Sequence, residues 1–133
     1  MKWRNAGEQD RGIAWLWFAT VAAALAAAPL APFVAALVPG CPMHEWTGWP
    51  CPTCGSTRAL SALAAARMKD AIRFNPLVTL SVLALSAGGL MAPLWVRFRW
   101  PLPVVPAPWP ARWRIALVVL VAANWAYLIA LGV

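Results

Sequence analysis

The residues of this sequence that can do chemistry are concentrated between positions 41 and 75. This stretch holds all three cysteines and the only histidine of the 133-residue chain. Cys51 and Cys54 form a CxxC pair, a spacing that lets two sulfurs converge on one metal ion or on each other. Upstream, Cys41 and His44 form a second pair with the same spacing. Three sulfurs and one nitrogen suit tetrahedral zinc, so the sequence predicts a zinc site at Cys41, His44, Cys51 and Cys54.

Two other interpretations of the cysteines stay open. The first is redox exchange, with Cys51 and Cys54 as the candidate catalytic pair. Cys54 precedes a predicted helix whose dipole, together with Arg58, would stabilise a thiolate, which makes Cys54 the more nucleophilic thiol. No strand and helix pattern of the thioredoxin type surrounds this pair. The second interpretation is a disulfide that braces the loop on an oxidising side of a membrane.

A short amphipathic helix is predicted directly after the CxxC pair, over residues 57–74. Its basic side chains fall on one face, which suits a helix lying in the membrane interface and facing phosphates. The candidate contacts for a headgroup or partner are Thr57, Arg58, Lys69 and Arg73. The predicted apolar face carries Leu60, Leu63, Ala64, Met68 and Ala71. Arg67 interrupts that face, and it either reaches water or pairs with Glu45 or Asp70.

The elements that position these residues are three apolar runs, each long enough to cross a bilayer. With 62% hydrophobic and 11% charged residues, the chain is too apolar for an ordinary soluble domain. We therefore predict one all-α membrane domain, residues 1–133, with three transmembrane helices and one short interfacial helix. Its parts are a span at 13–38, the cysteine loop and interfacial helix at 39–74, a span at 75–96, a Pro/Trp/Arg-rich loop at 97–114 and a span at 115–133.

Local signals define the ends and contacts of these spans. Pro29 and Pro32 predict a kink or early end in the first span. Asn75 suits the cap and Pro76 the first position of the second span. Glycines and serines inside that span predict close approach of a neighbouring helix, and Asn124 in the third span predicts an interhelical hydrogen bond. Structural roles, including tight turns at the glycines, are predicted for Gly48, Gly55, Asn75 and Pro76.

The distribution of charged residues predicts the binding partners and the orientation of the chain in the membrane. The net charge of +7 lies beside apolar runs and no nucleic-acid motif is present, so lipid headgroups are the expected partner, with another membrane protein as a further candidate and nucleic acid excluded. With the N-terminus in the cytoplasm, seven Lys and Arg lie inside and four outside, which places the cysteine loop outside. A cleaved signal peptide is the alternative for the first span, but its apolar stretch is too long and Glu8 and Asp10 flank it.

The run TGWPCPTCGSTRAL, followed by an Ala-rich helix and FNPL, resembles the bacterial integral membrane protein family known as domain of unknown function 2752. The family pattern falls here on Cys41, Thr47 with Gly48, Cys51 to Ala59, and Asn75 with Pro76. The resemblance covers about residues 38–90, and Thr53 stands where members often carry Gly. No activity follows from this resemblance. It does imply that one structural unit contains Cys41, Cys51, Cys54, Thr57, Arg58, Asn75 and Pro76.

These features predict a multi-pass protein of the bacterial inner, or cytoplasmic, membrane. The predicted function is non-enzymatic: a small subunit or binding module whose cysteine loop is braced by zinc or a disulfide. The alternative is a membrane thiol–disulfide oxidoreductase that uses Cys51 and Cys54. Transport is a weaker third class, because the spans carry no buried charged residue that could form an ion path.

Overall fold

The computed structural model describes residues 2–4, 7–37, 41–99, 102–104 and 109–132. The chain is a multi-pass membrane protein, and three helical stretches are long and apolar enough to cross a bilayer: one that begins at Glu8, Pro76–Arg97 and Ala111–Leu131. The described helices are α1 (Glu8–Ala27), a 3-10 turn (Ala28–Leu30), α2 (Ala31–Leu37), α3 (Pro42–Thr47), α4 (Ser56–Ala64), α5 (Met68–Phe74), α6 (Pro76–Arg97) and α7 (Ala111–Leu131). The all-α class with three long apolar helices is confirmed.

One short strand pairing accompanies the helices. Strand β1 (Lys2–Arg4) pairs in antiparallel fashion with β2 (Leu102–Val104), with Trp3 opposite Pro103. The pairing joins the N-terminal segment to the proline-rich connection between α6 and α7. This strand pairing was not predicted from the sequence, because three residues on each side are too few to give a strand pattern.

Helix α1 begins at Glu8, five residues before the apolar run predicted as the first span. The Asp10 carboxylate accepts a hydrogen bond from the Gly7 amide at 2.8 Å, and acidic residues in a first turn stabilise the positive end of a helix. The helix changes to a 3-10 turn at Ala28–Leu30, at the proline predicted to interrupt it. The predicted end of the first span, at residue 38, lies outside the described residues.

Helix α6 packs closely along α1 because two adjacent glycines leave room for a tryptophan. A Cβ atom added to Gly88 would lie 2.8 Å from Cη2 of Trp17, and one added to Gly89 would lie 2.6 Å from Cγ2 of Val21. Both distances are shorter than a van der Waals contact. The prediction that small residues of this span allow close helix approach is confirmed at these glycines.

The predicted single helix over residues 57–74 is wrong, because the structure has two helices, α4 and α5, separated by a turn. Ala66 has a φ of 56°, and the Arg67 amide donates to the Ala62 carbonyl at 2.8 Å, so α4 ends in a left-handed turn. Only part of the predicted apolar face turns toward the protein interior. Leu60 and Met68 are about two-fifths exposed, whereas the fully buried side chains of the two helices are Ala59, Ala62 and Ala71. Small alanines face the protein interior, which lets these helices lie close to the spans.

Candidate metal centre and its cavity

The three cysteines meet at one point of the structure. The Sγ atoms of Cys41, Cys51 and Cys54 all lie within 4.8 Å of one another, which positions them to hold a metal ion. All three are free thiols. His44, the fourth predicted ligand, does not belong to this group, although it lines the same cavity. The structure therefore brings together three of the four predicted ligands.

A tight turn brings the two cysteines of the CxxC pair together. The Cys54 amide donates to the Cys51 carbonyl at 2.9 Å, and the Cys51 amide donates to the Cys54 sulfur at 3.2 Å. Gly55 follows with a φ of 78°, and Gly48, at the end of α3, has a φ of 73°. This left-handed conformation favours glycine, so both predicted turn residues occupy positions that a larger residue would strain.

Side chains from two spans hold the backbone of the CxxC loop at every second carbonyl. Nε1 of Trp125 donates to the Pro50 carbonyl at 2.7 Å, and Nδ2 of Asn124 donates to the Pro52 carbonyl at 3.1 Å. Nδ2 of Asn75 donates to the Cys54 carbonyl at 3.0 Å. We call these three side chains the loop anchors. They fix the backbone that carries two of the three sulfurs.

Two of the loop anchors also cap helix α6. The Oδ1 atom of Asn75 accepts the Val78 amide at 3.1 Å, and Oδ1 of Asn124 accepts the Leu77 amide at 3.1 Å. Both asparagines are buried, so each amide satisfies two backbone groups that would otherwise lack a partner away from water. The predicted interhelical hydrogen bond of Asn124 is confirmed.

Further hydrogen bonds attach α5 to the same two spans. The Thr79 hydroxyl lies 2.8 Å from both the Ala71 and the Asn75 carbonyls, and its side chain is fully buried. The Tyr127 hydroxyl donates to the Arg73 carbonyl at 3.4 Å. Hydrogen bonds therefore connect the end of α5 to the start of α6 and to α7.

The two thiols of the CxxC pair differ in pKa. Burial raises the pKa of Cys51, but hydrogen bonds with Thr53, Cys41 and Cys54 outweigh burial and lower the pKa to about 7. Burial raises the pKa of Cys54 to about 11, and hydrogen bonding to the Cys51 and Cys41 thiols adds to the rise. The prediction that Cys54 is the more nucleophilic thiol is wrong, because the loss of solvation at Cys54 exceeds the stabilisation its thiolate receives.

A cavity of about 860 Å³ opens beside the cysteines. Of the predicted headgroup or partner contacts, Thr57 and Arg58 on α4 line this cavity, whereas Lys69 and Arg73 on α5 do not. The break between the two helices separates these pairs. Arg67 lines the cavity and also pairs with Asp70 at 3.2 Å, with its side chain 61% exposed. Both alternatives considered for Arg67, reaching water and pairing with Asp70, are therefore realised together.

Residues 41–88 match the family model described as Protein of unknown function (DUF2752). The resemblance to this family inferred from the sequence is confirmed over these residues, which run from Cys41 through α5 to Gly88 of α6. No curated protein and no solved structure matches the chain.

The DUF2752 match contains the three cysteines, Thr57, Arg58 and Asn75, but two of the three loop anchors lie outside it. Asn124 and Trp125 belong to α7, beyond the end of the match. The sequence marks Asn124 as a residue in need of a partner, whereas Trp125 was not predicted to take part in the site. Tryptophan is common in membrane proteins, where it favours the boundary between hydrocarbon and water, so its identity gave no signal that it binds the cysteine loop.

Proposed function

We propose that this protein is a small non-enzymatic membrane subunit or binding module whose cysteine loop holds a zinc ion. The observation that carries the proposal is the approach of three sulfurs to within 4.8 Å of one another. Sulfurs on a tetrahedral zinc ion lie about 3.8 Å apart, given Zn–S bonds of about 2.3 Å. The three thiols therefore need only a small contraction to bind the ion.

The surroundings of the cysteines support a site that is built rather than accidental. The loop anchors fix the backbone at both cysteines of the CxxC pair, and ligands held in this way lose little freedom when metal binds. Thr57 and Arg58 share the cavity with the sulfurs. We propose that these two side chains contact a phosphate, a lipid headgroup or a partner protein at the membrane surface.

The proposal includes a location. An inner (cytoplasmic) membrane of a bacterium, with the N-terminus in the cytoplasm and the cysteine loop outside, agrees with the distribution of Lys and Arg around the spans. Single-cysteine labelling in spheroplasts tests this orientation. A membrane-impermeant maleimide should label a cysteine placed at Trp46, which is 88% exposed, and should spare one placed at Arg11.

Metal content and free-thiol count test the zinc site directly. We expect about one zinc per chain in protein purified in mild detergent, and no zinc in a Cys51→Ser, Cys54→Ser variant. Trp49→Phe is the matched control, because this exposed side chain lies in the same loop without joining the sulfur group. Wild-type protein that takes up no zinc when zinc is supplied would refute the proposal.

A second function, thiol–disulfide exchange, is favoured by the unequal exposure of the CxxC pair. Cys51 is half-buried and lines the cavity, while Cys54 is buried beside it. In this mechanism the Cys51 thiolate attacks one sulfur of a substrate disulfide, forming a mixed disulfide and releasing the first substrate thiolate. The Cys54 thiolate then attacks Cys51 Sγ and releases the second. The substrate gains two electrons and the pair loses two as the Cys51–Cys54 disulfide forms.

Trapping distinguishes exchange from zinc binding. With oxidised glutathione as the substrate disulfide, a Cys54→Ser variant should accumulate glutathione on Cys51, and a Cys51→Ser variant should accumulate far less. Mass spectrometry of the intact chain measures both. Equal labelling of the two variants would refute exchange through Cys51.

A further inference from the structure

Three thiols leave a tetrahedral metal ion one ligand short. Among the described residues, the group of metal-binding side chains around this point contains only the three cysteines. His44 is the third residue of α3, three positions after Cys41, and its side chain is exposed and outside the group. The fourth position on a metal bound here is therefore not supplied by the residue that the sequence spacing suggests.

The cavity is the side from which a fourth ligand can reach the three sulfurs. The three cysteines line the cavity, together with Thr57 and Arg58. On the other side of the loop stand the loop anchors, none of which lines the cavity. The asparagine amides already bind backbone groups through both their oxygen and their nitrogen atoms. They are thus unavailable as ligands.

The cavity beside this position is lined by three charged side chains, those of Glu45, Arg58 and Arg67. Within the part of the chain that the structure describes, Arg58 has no acidic partner, whereas Arg67, which lines the same cavity, is paired with Asp70. A zinc ion with three thiolates carries a net charge of −1, so a further anionic ligand needs a nearby cation to offset repulsion. Arg58 is placed to supply that cation.

We infer that the metal held by Cys41, Cys51 and Cys54 has an exchangeable fourth position open to the cavity, which binds a small anionic donor beside Arg58. This rests on the proposed function, since it requires a metal at the three cysteines. At this fourth position, a ligand from outside the chain binds directly to the metal. A closed structural zinc site would offer no such position.

Cobalt substitution tests the inference, because cobalt replaces zinc in thiolate sites and its visible absorption bands respond to the fourth ligand. Azide is the probe. We expect Co²⁺-loaded wild-type protein and a His44→Ala variant to bind cobalt with affinities within about twofold of each other, and azide to shift the visible bands of both in a saturable way. Arg58→Gln should weaken azide binding about fivefold, as expected for loss of an exposed ion pair. Arg67→Gln, the matched control, should leave azide binding unchanged.

The outcomes separate this inference from the proposed function. If His44→Ala lowers cobalt affinity tenfold or more, and azide leaves the wild-type spectrum unchanged, the site is a closed one with three cysteines and His44. The inference is then overturned while the zinc-binding proposal stands. If wild-type protein binds no cobalt, the proposed function fails, and the inference fails with it.

Discussion

Helix α6 is held in different ways near its middle and at its N-terminus. Near its middle it packs against α1 by shape, with Gly88 and Gly89 accommodating Trp17. At its N-terminus it is held by hydrogen bonds, since Asn124 of α7 accepts the Leu77 amide and also binds the Pro52 carbonyl of the cysteine loop. The first interface is apolar and contains no part of the site. The second connects a span to the site directly.

Because the two interfaces differ, the first mainly determines the stability of the fold and the second mainly determines the geometry of the site. Lipid tails are as apolar as the helices, so spans associate through close packing and hydrogen bonds and not through exclusion of water. Packing of α1 on α6 positions the spans. The hydrogen bonds of α7 and of Asn75 determine where the loop carbonyls lie, and hence where the sulfurs lie. Substitutions at the two interfaces should therefore have different consequences for metal binding.

The largest effect is expected at Asn75, the residue shared by the helix cap and the loop. Asn75→Ala removes the hydrogen bonds to the Cys54 carbonyl and the Val78 amide and leaves both without that partner. We expect the free energy of unfolding to fall by about 2–4 kcal/mol and zinc affinity to fall about 10–100-fold.

Denaturation in mixed micelles and zinc competition with a chelating dye measure these two quantities. Asn75→Asp is the informative control, because it keeps the oxygen that accepts the Val78 amide but loses the donor to Cys54. It should retain more stability than Asn75→Ala. Unchanged zinc affinity in both variants would contradict the role of Asn75 in the site.

The next effect is expected at the packed interface. Gly89→Ala places a methyl group where Cγ2 of Val21 would be 2.6 Å away, and such overpacking costs about 1–3 kcal/mol. Zinc stoichiometry should be unaffected, because this contact is remote from the loop. Gly12→Ala on α1 is the matched control, since an added Cβ there has no atom within 4 Å. Loss of zinc in Gly89→Ala protein that remains folded would show that the two interfaces are coupled.

A smaller effect on stability is expected at Trp125. Trp125→Phe keeps the aromatic ring but removes the 2.7 Å hydrogen bond to the Pro50 carbonyl, for a loss of about 1 kcal/mol. Zinc affinity should fall about tenfold. Trp113→Phe changes an exposed tryptophan of the same helix and should alter neither quantity. If the two variants behave alike, Trp125 anchors α7 in the interface and does not hold the loop.

The smallest effect is expected at Arg67. Its pair with Asp70 is exposed, with relative side-chain exposures of 61% and 47%, and exposed pairs contribute little to stability. Arg67→Gln should change the unfolding free energy by less than about 0.5 kcal/mol and leave zinc binding unaltered. A loss comparable to that of Trp125→Phe would mean that the turn between α4 and α5 depends on this pair.

The sequence allowed prediction of the spans and of the segment that contains the site, because both depend on local signals. Long apolar runs reveal spans, and Asn75 followed by Pro76 reveals a helix start. The break between α4 and α5 could not be predicted, since residues 59–67 contain neither glycine nor proline. Ala66 takes a left-handed conformation there that alanine seldom adopts.

The arrangement of the site depends on contacts that spacing does not encode. The cysteine spacing gave the correct cluster of sulfurs but included His44, because a spacing of three residues says nothing about which way a side chain points. The prediction that Cys54 is more reactive than Cys51 was wrong because a helix dipole can be inferred from the sequence, whereas the burial of a thiol cannot. The carbonyls bound by Asn124 and Trp125 lie more than 70 residues earlier in the chain, so no local pattern relates them.

That separation has a consequence for biosynthesis. Pro52 and Asn124 are 72 residues apart, so at about 5–20 residues per second a ribosome needs roughly 4–14 seconds to make the second after the first. During that interval the cysteine loop has been synthesised but two of its carbonyls have no partners from α7. The nascent loop can therefore meet oxidants or metal ions before its final shape exists, and the insertion of α7 is the event that completes it.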